Sequence, residues 1–320
     1  MCSEATDTDA KSVSVTLADD TSSLEAQSHV EQVLSLYRSL CKQPDLRPCT
    51  SINAIFNELV GLCTQTMSKN VTEAAKKAKI KEILPGLRAL CAEAECYLEF
   101  QWADIISKGA NTQEAHKLLA TFPYYSNYID LTRLELAALQ TVDPTPPRQI
   151  AFVGSGPLPL TSLCLLSSLN ENSPKTLIQS LLSYLPSWLN PTAPERPEVS
   201  ILNIDNNASA LRQSEWLCMK LGKMVVYLAA LVGASQPEKE TLVQKVVGQM
   251  KEGALLVIRT SWGLRSLLYP DFDCTTEGIL SVLDICVVVH PYGHVVNSVI
   301  VGRVKARTRA MTLAESAISV

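Results

Sequence analysis

The chain has 320 residues and a formal net charge of −4, with 47% apolar and 19% charged residues. That is globular composition with length for two modest domains, and the absence of a long basic run excludes the electrostatic footprint of a nucleic-acid binder. The longest uncharged apolar stretch of interest, 224–233, is ten residues, too short to span a bilayer as a helix, so no membrane partner is expected.

The ten cysteines show no C-x-x-C spacing and no dense framework, which fits thiols in a reducing cytosol and predicts a cytoplasmic protein. The polar, acid-bearing start of the chain lacks a signal-peptide pattern. Residues 1–23, mostly Ser, Thr, Asp and Ala, bury too little to offset the entropy of ordering and are expected to form a disordered tail. From 24 to 143 the periodicity is helical: Val30, Val33, Leu34 and Tyr37 recur at three and four, as do Ile55, Leu59, Leu62 and Cys63. A solvated amphipathic helix is expected from Val71, with Lys76, Lys77, Lys79 and Lys81 opposite Ala74, Ala78, Ile80 and Leu84. The next helix is predicted over 85–106. Leu87, Leu90, Cys91, Ala94, Leu98 and Trp102 make its stripe, with Glu95 and Glu99 beside it, one turn apart. An aromatic turn, Phe122-Pro123-Tyr124-Tyr125-Ser126-Asn127-Tyr128, precedes a helix over 131–139, and the proline-rich 143–147 marks a linker.

Beyond the linker the pattern alternates strand and helix, predicting a doubly wound α/β domain over 144–304 and a C-terminal tail over 305–320. Strands are expected over 148–153, 199–204, 224–230 and 254–259, with helices over 159–169, 208–221 and 238–250. An antiparallel pair, 280–290 and 295–304, completes the sheet. The fold class is therefore α/β, a helical N-terminal domain packed on a Rossmann-like domain.

The first strand opens into Gly154-Ser155-Gly156, where the backbone can approach a ligand beside the N-terminus of the next helix. Asp205 ends the following strand, where an acid accepts hydrogen bonds from a ribose. A lone G-x-G is also an ordinary tight turn. Pro157 and Leu158 deny the loop a phosphate-binding shape, which favours S-adenosylmethionine over a dinucleotide. Ala230, Leu231 and Val232, after the third strand, extend the same candidate site. Taken alone, Glu95 and Glu99 could be solvated flank residues, and Tyr124 and Tyr125 could be core packing. Arg259 at a strand end could grip a substrate carboxylate or form a structural salt bridge, and Asn297 could hold a ligand or a loop. His290 and His294 are separated by Pro291 and Gly293, which forbid the helix that would make them a metal pair, so no metal site is expected.

Five stretches in order carry a resemblance. They are Leu90-Cys91-Ala92-Glu93-Ala94-Glu95 with Leu98-Glu99, the aromatic turn, Ala151-Phe152-Val153-Gly154-Ser155-Gly156-Pro157-Leu158-Pro159, Val226-Tyr227-Leu228-Ala229-Ala230-Leu231-Val232-Gly233, and Val295-Val296-Asn297-Ser298-Val299-Ile300. Together they resemble nicotianamine synthase over residues 24–302. The resemblance implies a helical domain closed over a Rossmann-like methyltransferase domain. It implies condensation of three S-adenosylmethionine molecules by aminocarboxypropyl transfer, releasing methylthioadenosine, with no prosthetic group and no metal. It also assigns roles: Glu95 as base, Tyr125 as its orienting phenol, and Glu99, Tyr124 and Asn127 as neighbours completing the substrate pocket. Arg259 and Asn297 are the further substrate-binding candidates. Gly154, Ser155, Gly156, Pro157, Asp205, Ala230, Leu231 and Val232 hold the donor.

In one place the chain departs from the family's pattern. Lys220-Leu221-Gly222-Lys223 runs straight into Met224-Val225, so a strand expected after residue 222, with the acid that follows it, is missing. Two other readings therefore stand beside the first: a single aminocarboxypropyl transfer making an opine-like metal chelator, and a catalytically impaired relative.

Overall fold

The computed structural model describes residues 8–75, 79–171, 199–205 and 225–307. Six helices come first: α1 (Thr8–Cys41), α2 (Thr50–Thr64), α3 (Lys69–Ala75), α4 (Lys79–Ser107), α5 (Thr112–Leu119) and α6 (Tyr125–Val142). α1 starts at Thr8, inside the stretch expected to be a disordered tail. Val33, Leu36 and Leu40 are buried in its C-terminal half, and once that half is nucleated each preceding residue adds a hydrogen bond at little further cost. α4 also begins earlier than expected and carries Pro85 inside it. Ile80, Leu87 and Ala94, seven residues apart, are all buried on one stripe, and this packing outweighs the backbone bond that proline removes.

The sheet consists of β1 (Gln149–Val153), β2 (Ser200–Ile204), β3 (Val225–Leu228), β4 (Leu255–Thr260), β5 (Leu283–Val289) and β6 (Ser298–Val304). Their order is β2-β1-β3-β4-β6-β5. β2, β1, β3 and β4 run parallel, and β6 joins antiparallel to both β4 and β5. β2 and β3 thus flank β1, two strand spacings or about 10 Å apart. Among the described residues no strand lies outside β2. The helix expected over 208–221 falls outside the described residues.

Alternation along the strands sorts the core into two faces. Ala151, Val226, Leu228, Leu256 and Ile258 pack with Val243 and Val247 of α8 (Gln236–Gln249). Ile150, Phe152, Tyr227, Leu255 and Val257 pack with Leu131 and Leu139 of α6 and Leu165 of α7 (Leu160–Glu171). α6, though it precedes the linker, is a covering layer of the sheet. A third cluster joins α1, α2 and α4 to Leu267 and Leu268 in and after the 3-10 turn Gly263–Leu267. Buried Arg265 in that turn donates to the carbonyls of Thr64 (3.4 Å), Gly293 (2.6 Å) and Val295 (2.9 Å), tying the helices to the β5–β6 connection. No helix among the described residues is long and apolar enough to cross a membrane.

Candidate active site

Gly154 and Gly156 have φ of +83° and +67°, a conformation that L side chains rarely adopt. A Cβ at Gly154 would strike Val232, and one at Gly156 would strike the Glu99 carboxylate. Two consequences follow: the loops after β1 and β3 are in contact, and α4 presses its carboxylate onto the β1 loop. Glu99 also accepts a hydrogen bond from the Leu158 backbone N–H.

Between α4 and the carboxyl ends of the strands lies a cavity of about 900 Å³. It is lined by Gly154, Ser155, Gly156, Pro157, Asp205, Ala230, Leu231, Val232 and Arg259, and by Glu95, Glu99 and Asn297 across from them. A smaller chamber of about 120 Å³ adjoins it, with walls that include Leu46, Ile52, Phe56, Tyr124 and Asn127. Glu95, Glu99, Tyr128, Tyr269 and Asn297 line both. Two carboxylates, two phenols and an amide therefore stand where the chambers meet.

Burial dominates the electrostatics there. It raises the Glu95 carboxyl above the usual range, against hydrogen bonds from Tyr269 and Tyr128 and the positive charge of Arg259. Burial, with Glu95 as neighbour, pushes Glu99 up to about 8. The phenols of Tyr128 and Tyr269 are driven well above their ordinary value by burial and then by Glu95, so both remain proton donors. Tyr269 Oη donates to Glu95 Oε2 at 3.1 Å. A carboxylate held this way, half-buried and facing a cavity, can take a proton from an amine.

The other expected site residues divide. Asn297 has a buried side-chain nitrogen without a partner in the protein, facing both chambers. Arg259 is committed: its guanidinium forms a two-point pair with buried Glu135 at 2.6 and 3.1 Å and donates to Thr161 at 2.8 Å. The salt-bridge alternative is the one realised, because β4 delivers the side chain into the α6–α7 layer. Asn127 donates to the His294 carbonyl at 2.7 Å, and Tyr124 Oη reaches Asn57 at 3.5 Å; both line only the smaller chamber. Tyr125 lines neither chamber and packs with Phe122, Leu158 and Leu160. Tyr128 and Tyr269 are thus the phenols that hydrogen-bond Glu95, while Tyr125 opens α6 with its ring against the apolar cluster. Tyr128 lay within the aromatic stretch and was detectable once the helix was extended back to Tyr125, one turn from Leu131. Tyr269, between Leu268 and Pro270, gave no local signal. His290 and His294 take different partners, Ser298 and Asp130, both at 2.9 Å.

A family model described as nicotianamine synthase protein matches residues 22–309. Nicotianamine synthase 1 of Arabidopsis thaliana is 32% identical over 276 residues, covering 86% of this chain and 83% of that protein. Nicotianamine synthase 3 of Oryza sativa subsp. indica is 33% identical over 298 residues, covering 86% and 78%. The crystal structure of MtNAS in complex with MTA and tNA superposes with a TM-score of 0.62 at 16% identity, covering 88% of this chain and 98% of that one. A mutant of MtNAS in complex with S-adenosylmethionine gives 0.61 at 16% identity, covering 87% and 98%. At that identity the likeness establishes a shared fold.

Proposed function

Because the chain belongs to the nicotianamine synthase family, we propose that it condenses three S-adenosylmethionine molecules by transfer of the 3-amino-3-carboxypropyl group, giving nicotianamine and methylthioadenosine. The observation that carries this reading is the Glu95–Glu99 pair at the junction of two chambers, one roomy enough for the donor and one small. The adenosine end of the donor rests on Gly154, Ser155, Gly156 and Pro157, with Asp205 at its ribose and Ala230, Leu231 and Val232 along its side.

An α-amino group of the acceptor, presented from the small chamber past Tyr124, Asn127 and Asn297, attacks the carbon bound to the sulfonium. The carbon–sulfur pair withdraws onto sulfur, which becomes a neutral thioether, and the new ammonium gives its proton to Glu95. Tyr269 and Tyr128 fix the Glu95 carboxylate, replacing Tyr125 in the orienting role. Glu99 faces the sulfonium side of the same junction; raised to about 8 by burial and Glu95, it gives up its proton when the cationic donor arrives, and the carboxylate then pairs with the sulfonium. No metal enters this scheme. The free thiols of the described cysteines suit a cytosolic site of action.

The test is mass spectrometry of purified protein incubated with S-adenosylmethionine alone. Nicotianamine together with methylthioadenosine is the expected outcome; methylthioadenosine with a lighter condensation product indicates a single transfer. The small inner chamber, about 120 Å³, is the observation that favours this second reading. Neither product from folded protein would exclude both.

A further inference from the structure

Lys239, in the first turn of α8, is 1% exposed. Its Nζ donates to the carbonyls of Ala229 (3.4 Å), Ala230 (3.0 Å) and Arg259 (2.9 Å). The first two lie just past the end of β3, and the third near the end of β4. An ammonium normally buried with a carboxylate is here given three neutral carbonyls. Its own helix offers none: Glu238 accepts from the Ala234 N–H at 3.0 Å, and Glu240 from Thr276 Oγ1 at 3.0 Å. The Arg259 guanidinium is turned away to Glu135. Gly233, at φ +84°, has no room for a Cβ, which would meet Lys239 Cα at 2.7 Å and N at 2.9 Å. Ala229, Ala230 and Gly233, at the two ends of this loop, are therefore all held against this one residue.

We infer that Lys239 is the positioning residue of the donor site: its ammonium cross-links the ends of β3 and β4 and so holds Ala230, Leu231 and Val232 in the shape that receives the adenosine of the donor. The inference rests on the proposed function. Lys239 touches no reacting atom and acts only through the loop. Burial alone lowers its pKa to about 7, so the cross-link depends on protonation within the working range. Once the proton is lost, the amine has two hydrogens for three carbonyls, and the loop loosens.

Methylthioadenosine is the probe, because it carries the adenosine but neither the sulfonium nor the amino acid chain, and parent and variant are both measured as Glu99→Gln, since Glu99 touches the β1 loop and would itself titrate near 8. Its affinity is measured on the full chain by titration calorimetry. For folded Lys239→Met, which keeps the apolar stem and leaves the carbonyls unpaired, the expected result is affinity weakened about tenfold or more. In the parent, affinity weakens as pH rises from about 6 to about 9, and in the variant the profile is flat. Unaltered affinity in the folded variant overturns the inference. Should Lys239→Met fail to fold, the parent decides: weakening on the alkaline side supports the cross-link, and a flat profile overturns it. A parent that binds neither methylthioadenosine nor S-adenosylmethionine would instead sink the proposed function.

Discussion

At the scale of single residues, the site turns on how two glutamates and two tyrosines are desolvated together. Glu95→Gln removes the proton acceptor and keeps the shape; turnover is expected to fall by about two to four orders of magnitude, measured as methylthioadenosine release. The two phenol assignments separate cleanly. Tyr269→Phe is expected to lower kcat about tenfold, because one hydrogen bond to Glu95 is lost, whereas Tyr125→Phe, whose ring lines neither chamber, is expected to cost clearly less. A large loss for Tyr125→Phe would restore the assignment made from the family resemblance. The pH dependence follows from Glu99. Its carboxyl holds a proton up to about 8 in the folded chain and gives it up near 4.5 when free. The folded state therefore binds more protons across that interval, and stability falls as pH rises through it. Thermal melts of the ligand-free protein at a series of pH values should show that decline, and Glu99→Gln should flatten it.

At the scale of elements, the tie between α6 and β4 is the buried Arg259–Glu135 pair, with Glu135 fully inaccessible. Arg259→Met strands a carboxylate in the core and is expected to destabilise the fold by about 3–5 kcal/mol in denaturant titration. Adding Glu135→Leu should recover most of that loss, because the uncompensated charge goes with it. If the double variant is no more stable than the single one, the guanidinium is needed for more than neutralising Glu135. α8 is set locally instead: Ser235 caps it by accepting from the Glu238 N–H, and Glu238 reaches back past the cap to the Ala234 N–H. That start delivers Lys239 to the strand ends.

At the scale of the molecule, the large cavity takes one wall from α4 and the other from the β1 and β3 loops, so a ligand there bridges the helical layer and the sheet. S-adenosylmethionine at about a hundredfold its Kd is expected to add about 2.7 kcal/mol to unfolding, seen as one cooperative transition moved to higher temperature. Two transitions with only one of them moved would mean that the two layers melt separately. The sequence by itself determined the alternation of β1, α7 and β2 and of β3, α8 and β4, the glycine loop, and the Glu95–Glu99 pair on one helix, because each is set by local periodicity or by conformations open chiefly to glycine. Only the tertiary structure decided that Pro85 stays inside α4, that α6 covers the sheet, that Arg259 belongs to Glu135, that Tyr128 and Tyr269 hydrogen-bond Glu95 while Tyr125 packs in an apolar cluster, and that Lys239 clasps two strand ends. Those outcomes depend on which surfaces meet after collapse: burial outweighs a lost helix bond, and partners up to 174 residues apart are brought within hydrogen-bond reach by packing that no local pattern encodes.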